Sequence, residues 1–209
     1  MTTTEPTRID FYADPLCPWC WRTALWIRDV ARRQAVEINW KLFSLMVVNH
    51  PEEFQDDQWR KWFVLERVLL AARKQGGNAA VERLYMSLGE AIHGEGRRED
   101  LAAEAGVVEC LRKAGLPENL YRDALADESN EKELLDEHKA ATERLHAFGV
   151  PTIALEGSSI GVFGPVIEPI PTGAEADALW QHVRWMLEQP YLWELKRERT
   201  VKLQPQHVY

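Results

Sequence analysis

Residues 14–21 read DPLCPWCW, with Cys17 and Cys20 three positions apart and Pro18 and Trp19 between them. Two chemistries use that spacing. A dithiol can cycle between thiol and disulfide, and a cysteine pair can supply half of a zinc site. Structural zinc wants four ligands, commonly two such pairs. The third and last cysteine of the chain is the lone Cys110, so the spacing favours redox work and no metal.

The elements around the pair sharpen this. RIDFYAD (8–14) alternates apolar and polar residues as a strand does, and Asp14-Pro15 ends it. A helical pattern runs from Cys17 to about Arg33, and a second strand pattern covers 36–45. Strand, helix, strand predicts a βαβ unit with parallel strands. Cys17 then opens a helix, where free backbone N–H groups and the helix dipole favour an anion. A helix start can lower a cysteine pKa from ~8.5 into the range ~3.5–7.5. Cys20 lies one turn further in. Cys17 is therefore expected to be the exposed attacking sulfur and Cys20 the more buried resolving one. Pro18, at the first helical positions, costs no hydrogen bond.

A helical tract follows from about 52 to 147, broken at Gly76-Gly77 and at 94–96. Its third helix ends at Gly115 and a short one begins at Pro117. Strand patterns return at 151–157 and 160–165 as a hairpin. Thr172 with Glu175 reads as a capping box that opens a last helix to about Glu188. The tail 190–209 reads as a loosely ordered extension. The order β-α-β, helices, β-β-α predicts a four-stranded mixed sheet with helices on both faces and a helical insertion.

Composition narrows the function. The 209 residues are 45% apolar and 28% charged, as in an ordinary globular protein. The formal net charge of −8 opposes nucleic-acid binding, which needs a basic face. No apolar run approaches the ~20 residues of a membrane span, and no secretory signal is present, so a cytoplasmic location with no membrane partner is expected. Cytoplasmic thiols stay reduced, and a cysteine pair there is more often catalytic than structural. No G-x-G-x-x-G follows a strand, so electrons are expected from a thiol and not from a bound nicotinamide.

Cys17-Pro18-Trp19-Cys20 together with Val150-Pro151-Thr152 resembles the thioredoxin superfamily, in its DsbA-like branch with an inserted helical domain. With HGEGRR (93–98), GPV (164–166) and ELKR (194–197), the chain looks like the actinobacterial mycothiol-dependent reductases of that fold, over nearly its whole length. Members are also labelled by likeness to 2-hydroxychromene-2-carboxylate isomerases and kappa-class glutathione transferases. Those lineages usually carry serine at the first cysteine position, and cysteine here favours redox work over isomerisation.

The resemblance implies an α/β, thioredoxin-like (DsbA-like) fold: residues 1–50 and 149–209 as a discontinuous thioredoxin-like domain, and 51–148 as an all-helical inserted domain. It implies a cis Pro151 against the cysteine pair, which would also discourage metal capture. It implies catalysis by Cys17, Cys20 and Pro151, with no bound cofactor and a low-molecular-weight thiol, mycothiol or glutathione, as co-substrate. Substrates would be small electrophiles or disulfides, and the protein a monomer or homodimer. A protein disulfide isomerase or oxidase of the same fold, or a non-enzymatic binder of apolar ligands with inert cysteines, are the alternatives.

Further candidates have plainer readings beside them. Trp19 is either a substrate wall or core, with Pro18, Val150 and Thr152 as its neighbours in a substrate site. Asn49 and His50 follow the second strand at the sheet end that carries Cys17, where ligands bind open α/β sheets. His93 can face the cleft, whereas His138 sits on an apolar stripe as a core histidine does. Asp14 reads as a turn residue before it reads as a proton acceptor, Trp21 as packing, and Cys110 as a buried inert thiol. Arg97-Arg98 can hold an anionic thiol or stand as a solvated pair.

Overall fold

A computed structural model describes residues 5–49 and 57–208, with the side chains of 57–60 left aside. Four strands form one mixed sheet in the order β2-β1-β3-β4. β1 (Thr7–Ala13) pairs in parallel with β2 (Val36–Leu42), Phe11 opposite Trp40. β1 also pairs antiparallel with β3 (Thr152–Leu155), which pairs antiparallel with β4 (Gly161–Phe163). Five consecutive residues of β1, Ile9 to Ala13, are buried. Successive side chains point to opposite faces, so both faces of the central strand are covered.

α1 (Pro18–Arg33) carries the second cysteine and packs on α7 (Gly173–Leu187), where Trp26 meets Trp180 at 6.5 Å and donates Nε1–H to the Ala176 carbonyl at 3.1 Å. Between β2 and β3 lie α2 (Leu45–Asn49), α3 (Asp57–Gly89), a π-helical turn (Glu90–Gly94), a 3-10 turn (Arg98–Ala102), α4 (Glu104–Lys113), α5 (Leu120–Ala126) and α6 (Ser129–Arg144). None of the described helices is long and apolar enough to cross a membrane.

The edge strand β2 is protected by two side chains of α3. Asn78 accepts from the Trp40 N–H at 2.8 Å and donates to the Ile38 carbonyl at 2.7 Å, while Arg73 donates to the Trp40 carbonyl at 2.9 Å. These contacts satisfy backbone groups that an edge leaves unpaired. They are placed by the break at 76–77, where Gly77 takes φ 65°, a left-handed conformation that glycine adopts without strain. The break expected at Gly76-Gly77 is present: both residues are non-helical, and α3 is two helical segments that meet at a kink there.

Several sequence expectations shift. The third helix of the tract is split into the 3-10 turn and α4, and the short helix expected from Pro117 begins at Leu120, with the Pro117 carbonyl accepting from the Leu120 N–H. Thr172 is the N-cap of α7, but its side chain makes no capping bond, so the capping box is not formed. The tail from 190 to 208 has no regular structure. It is nevertheless docked, as described below.

Candidate functional site

The N-cap of α1 is Cys17 itself. Its Sγ accepts from the Cys20 N–H at 3.3 Å, and Pro18 follows at the first helical position. A Ser, Thr, Asp or Asn oxygen ordinarily takes that place, satisfying one of the orphan donors of a helix start. Here a sulfur takes it, and a thiolate takes it better than a thiol. The hydrogen bond from the Cys20 thiol, then that from its backbone N–H, draws the Cys17 pKa below the usual thiol value, against the opposing effect of burial. Cys20 is raised well above that value by burial and by its hydrogen bond to Cys17. The arrangement thus favours charge on the Cys17 sulfur and a proton on that of Cys20.

Both cysteines are reduced, and both are buried, Cys17 at 4% exposure. The exposed attacking sulfur of the sequence reading is thus covered. The Cys17 thiol points to the Val150 carbonyl at 3.6 Å, in the loop that precedes β3. The Val150–Pro151 bond is cis, as are Gly164–Pro165 and Glu168–Pro169. Thr152 is buried, and its hydroxyl donates to the Gly149 carbonyl at 2.8 Å, which ties the loop together. Pro18 and Trp19 are half-buried beside the sulfurs. Asn49 is exposed at the end of α2, and His50 lies outside the described residues.

His93, on the π turn, reaches the loop before Cys17. Its Nε2 lies 2.9 Å from the Pro15 carbonyl and its ring stacks on Trp21 at 6.1 Å. Burial pushes its pKa down to about 4, so the ring is neutral and Nε2 donates to that carbonyl. His138 is likewise pushed down to about 4 by burial, against the ring of Phe43. Arg97 is engaged by Glu95, Asp100 and Glu109, whereas Arg98 lies over the Trp62 ring at 4.9 Å. Cys110 is buried, and burial raises its pKa.

Asp14 ends β1 under the pair. Its two oxygens accept from the Leu16 N–H at 2.7 Å and the Leu45 N–H at 2.8 Å, fixing the loop before Cys17 and the start of α2. Burial outweighs those bonds and raises its pKa to about 6. Glu66 of α3 is buried too and raised well above the carboxylate range, first by burial and then by the charge of Asp14. Glu66 was absent from the sequence reading. Its signal was present: Trp62, Phe63, Leu69 and Leu70 surround it at helical spacings of three and four.

Asp14 has a measurable consequence. Between pH 4 and 6 an unfolded Asp14 ionises while the folded one keeps its proton, so the contribution of Asp14 to stability falls as pH rises through that window and levels off above it. Asn at position 14 lacks this loss. The stability of Asp14→Asn relative to wild type is expected to improve by ~1–3 kcal/mol from pH 4 to pH 7, on a constant offset from one lost acceptor. The two buried histidines act in the opposite sense in both proteins and cancel. Urea melts at stepped pH check this, and parallel curves for the two proteins would refute it.

Known proteins match this chain in sequence and in fold. The model of the family described as "Rv2466c-like: Mycothiol-dependent nitroreductase Rv2466c" matches residues 16–197. The uncharacterized protein Rv2286c of Mycobacterium tuberculosis is 31% identical over 200 residues, 93% of this chain and 83% of that one. Among solved structures, the cytosolic disulfide reductase DsbM of Pseudomonas aeruginosa superposes with a TM-score of 0.60 at 20% identity, over 85% of this chain and 99% of its own. The probable DsbA oxidoreductase SCO1869 of Streptomyces coelicolor does so at 0.59 and 19%, over 97% and 98%. The fold is therefore the DsbA-like variant of the thioredoxin fold, and the alternative of a non-enzymatic binder is set aside. A dithiol held at a helix N-cap, on this fold and within this sequence match, makes the chain a thiol-dependent oxidoreductase that belongs to the Rv2466c-like family of mycothiol-dependent nitroreductases.

Proposed function

We propose that the Cys17–Cys20 dithiol reduces small disulfides and electrophiles, nitro compounds among them, and that mycothiol restores it. The observation that carries this is the N-cap position of Cys17, whose sulfur takes the Cys20 N–H while Cys20 waits behind it, buried and protonated. With a disulfide, the Cys17 thiolate attacks one sulfur, the S–S bond breaks, and the first thiolate leaves. Cys20 then loses its proton and attacks the Cys17 sulfur, expelling the second thiolate and leaving the Cys17–Cys20 disulfide. Two molecules of a small thiol reverse this, the first forming a mixed disulfide and the second leaving as half of its own disulfide.

In this reading Trp19, Pro18, Val150 and Pro151 form the wall against which a substrate lies, and Thr152 shapes the loop. His93 holds the Pro15 carbonyl and so positions the loop that carries Cys17. The core of 1–50 and 149–209 with a helical insertion at 51–148, and a cytoplasmic setting that keeps the thiol pool reduced, belong to the same proposal.

A reductant screen tests it. With one disulfide substrate, mycothiol is expected to support turnover at least tenfold better than glutathione at equal concentration. Turnover with thioredoxin and with neither small thiol would overturn the proposal. Efficient reshuffling of a scrambled protein would favour the disulfide-isomerase alternative.

A further inference from the structure

Trp19 stands between the two cysteines, and two guanidinium groups lie over its ring. Arg199 is 5.2 Å from the centroid and Arg22 is 5.9 Å. The two cations are not equivalent. Arg22 is buried, paired with Glu168, and spends its remaining donors on the carbonyls of Pro18 and Gln204. Arg199 is exposed, and it takes part in no ion pair among the described residues. It brings a positive charge without an ion-pair partner to one of the two residues between the cysteines.

The position of Arg199 is fixed from the C-terminal side. Trp21 Nε1–H donates to the Gln206 carbonyl at 2.8 Å, and Arg22 donates to the Gln204 carbonyl. Glu90, at the start of the π turn, accepts from the Val208 N–H at 2.7 Å and meets His207 Nδ1 at 2.6 Å. Residues 204–208 are thus fastened to the turn of α1 just after Cys20 and to the π turn that carries His93. The chain between this fastening and α7 runs past Trp19. Any molecule approaching Cys17 along the Trp19 side meets that segment.

We propose that the C-terminal segment is a wall of the thiol site and that Arg199 is a substrate-binding residue, selecting disulfides and electrophiles with an anionic group beside the reacting atom. The guanidinium lies over the indole, 5.2 Å from its centroid, and its N–H groups make no hydrogen bond to the described residues, which leaves them to a carboxylate or similar anion. The attraction adds to the first attack, in which the Cys17 thiolate breaks the substrate S–S bond and an anionic thiolate leaves. At an exposed site it is worth about fivefold in rate, and salt weakens it. This rests on Cys17 being the attacking thiolate.

Single-turnover kinetics of the reduced enzyme with two reagents separate these claims. One is 5,5′-dithiobis(2-nitrobenzoate), which carries a carboxylate on each ring; the other is the neutral 2,2′-dithiodipyridine. Each is reduced by two electrons as the Cys17–Cys20 disulfide forms. Arg199→Ala is expected to slow the anionic reagent about fivefold and leave the neutral one within about twofold, with Arg199→Lys retaining most of the preference. Arg197→Ala, the same charge change two residues away, should leave the ratio unchanged. Equal slowing of both reagents, no slowing, or the same selective loss in Arg197→Ala would overturn the role of Arg199. Wild-type enzyme slow with both reagents would instead overturn the reading of Cys17, and this proposal with it.

Discussion

Cys17→Ser should lose turnover by about a thousandfold or more with every substrate, whereas Cys20→Ser should keep the first attack and stop after one event. The asymmetry follows from the N-cap. The Cys20 N–H and the Cys20 thiol both point at the Cys17 sulfur and favour its charge. A serine hydroxyl at position 17 can still cap the helix, so the fold should survive, but its oxygen stays protonated at neutral pH. Serine at position 20 keeps a hydroxyl donor beside the Cys17 sulfur but removes the resolving nucleophile. Cys20→Ser should therefore make the first attack and accumulate as a mixed disulfide. Steady-state rates with a burst measurement distinguish the two variants. Equal residual turnover in both would contradict the division of labour.

Arg22→Ala should be the most destabilising surface-independent change near the site, at ~3–5 kcal/mol. Arg22 is 2% exposed and pairs with Glu168, which is 8% exposed. Alanine leaves that carboxylate buried without its partner and frees the carbonyls of Pro18 and Gln204. For a chain of this size the loss corresponds to a fall in Tm of about 10 °C. Arg22→Met combined with Glu168→Gln should recover most of it, because no buried charge is then left alone. Thermal melts of the reduced proteins check this. A single variant within 1 kcal/mol of wild type would show that water reaches Glu168 freely.

What the sequence made legible was local. The β1-α1-β2 run was readable from alternation, the Asp-Pro stop and the proline after Cys17, because strand period and helix start are properties of neighbouring residues. The sulfur pair and the Val-Pro-Thr loop were readable as a superfamily pattern. The contacts that complete the site were not. Trp21 and Arg22 bind the carbonyls of Gln206 and Gln204 across more than 180 residues, and a main-chain carbonyl has no residue type to announce it. The tail accordingly read as a loose extension. Asp14 read as a turn residue, which it is, but its burial depends on α2 and α3 folding over it. The covering of Cys17 likewise depends on a loop 133 residues away.

The most direct test is mass spectrometry of Cys20→Ser after mixing with one equivalent of an aromatic disulfide at pH 6. The expected result is one aryl-thiol adduct on the peptide that holds Cys17 and none on that holding Cys110, because the N–H at the N-cap favours the Cys17 thiolate and burial disfavours that of Cys110. An adduct on Cys110 alone, or no adduct on Cys17, would contradict the assignment of Cys17 as the attacking thiolate.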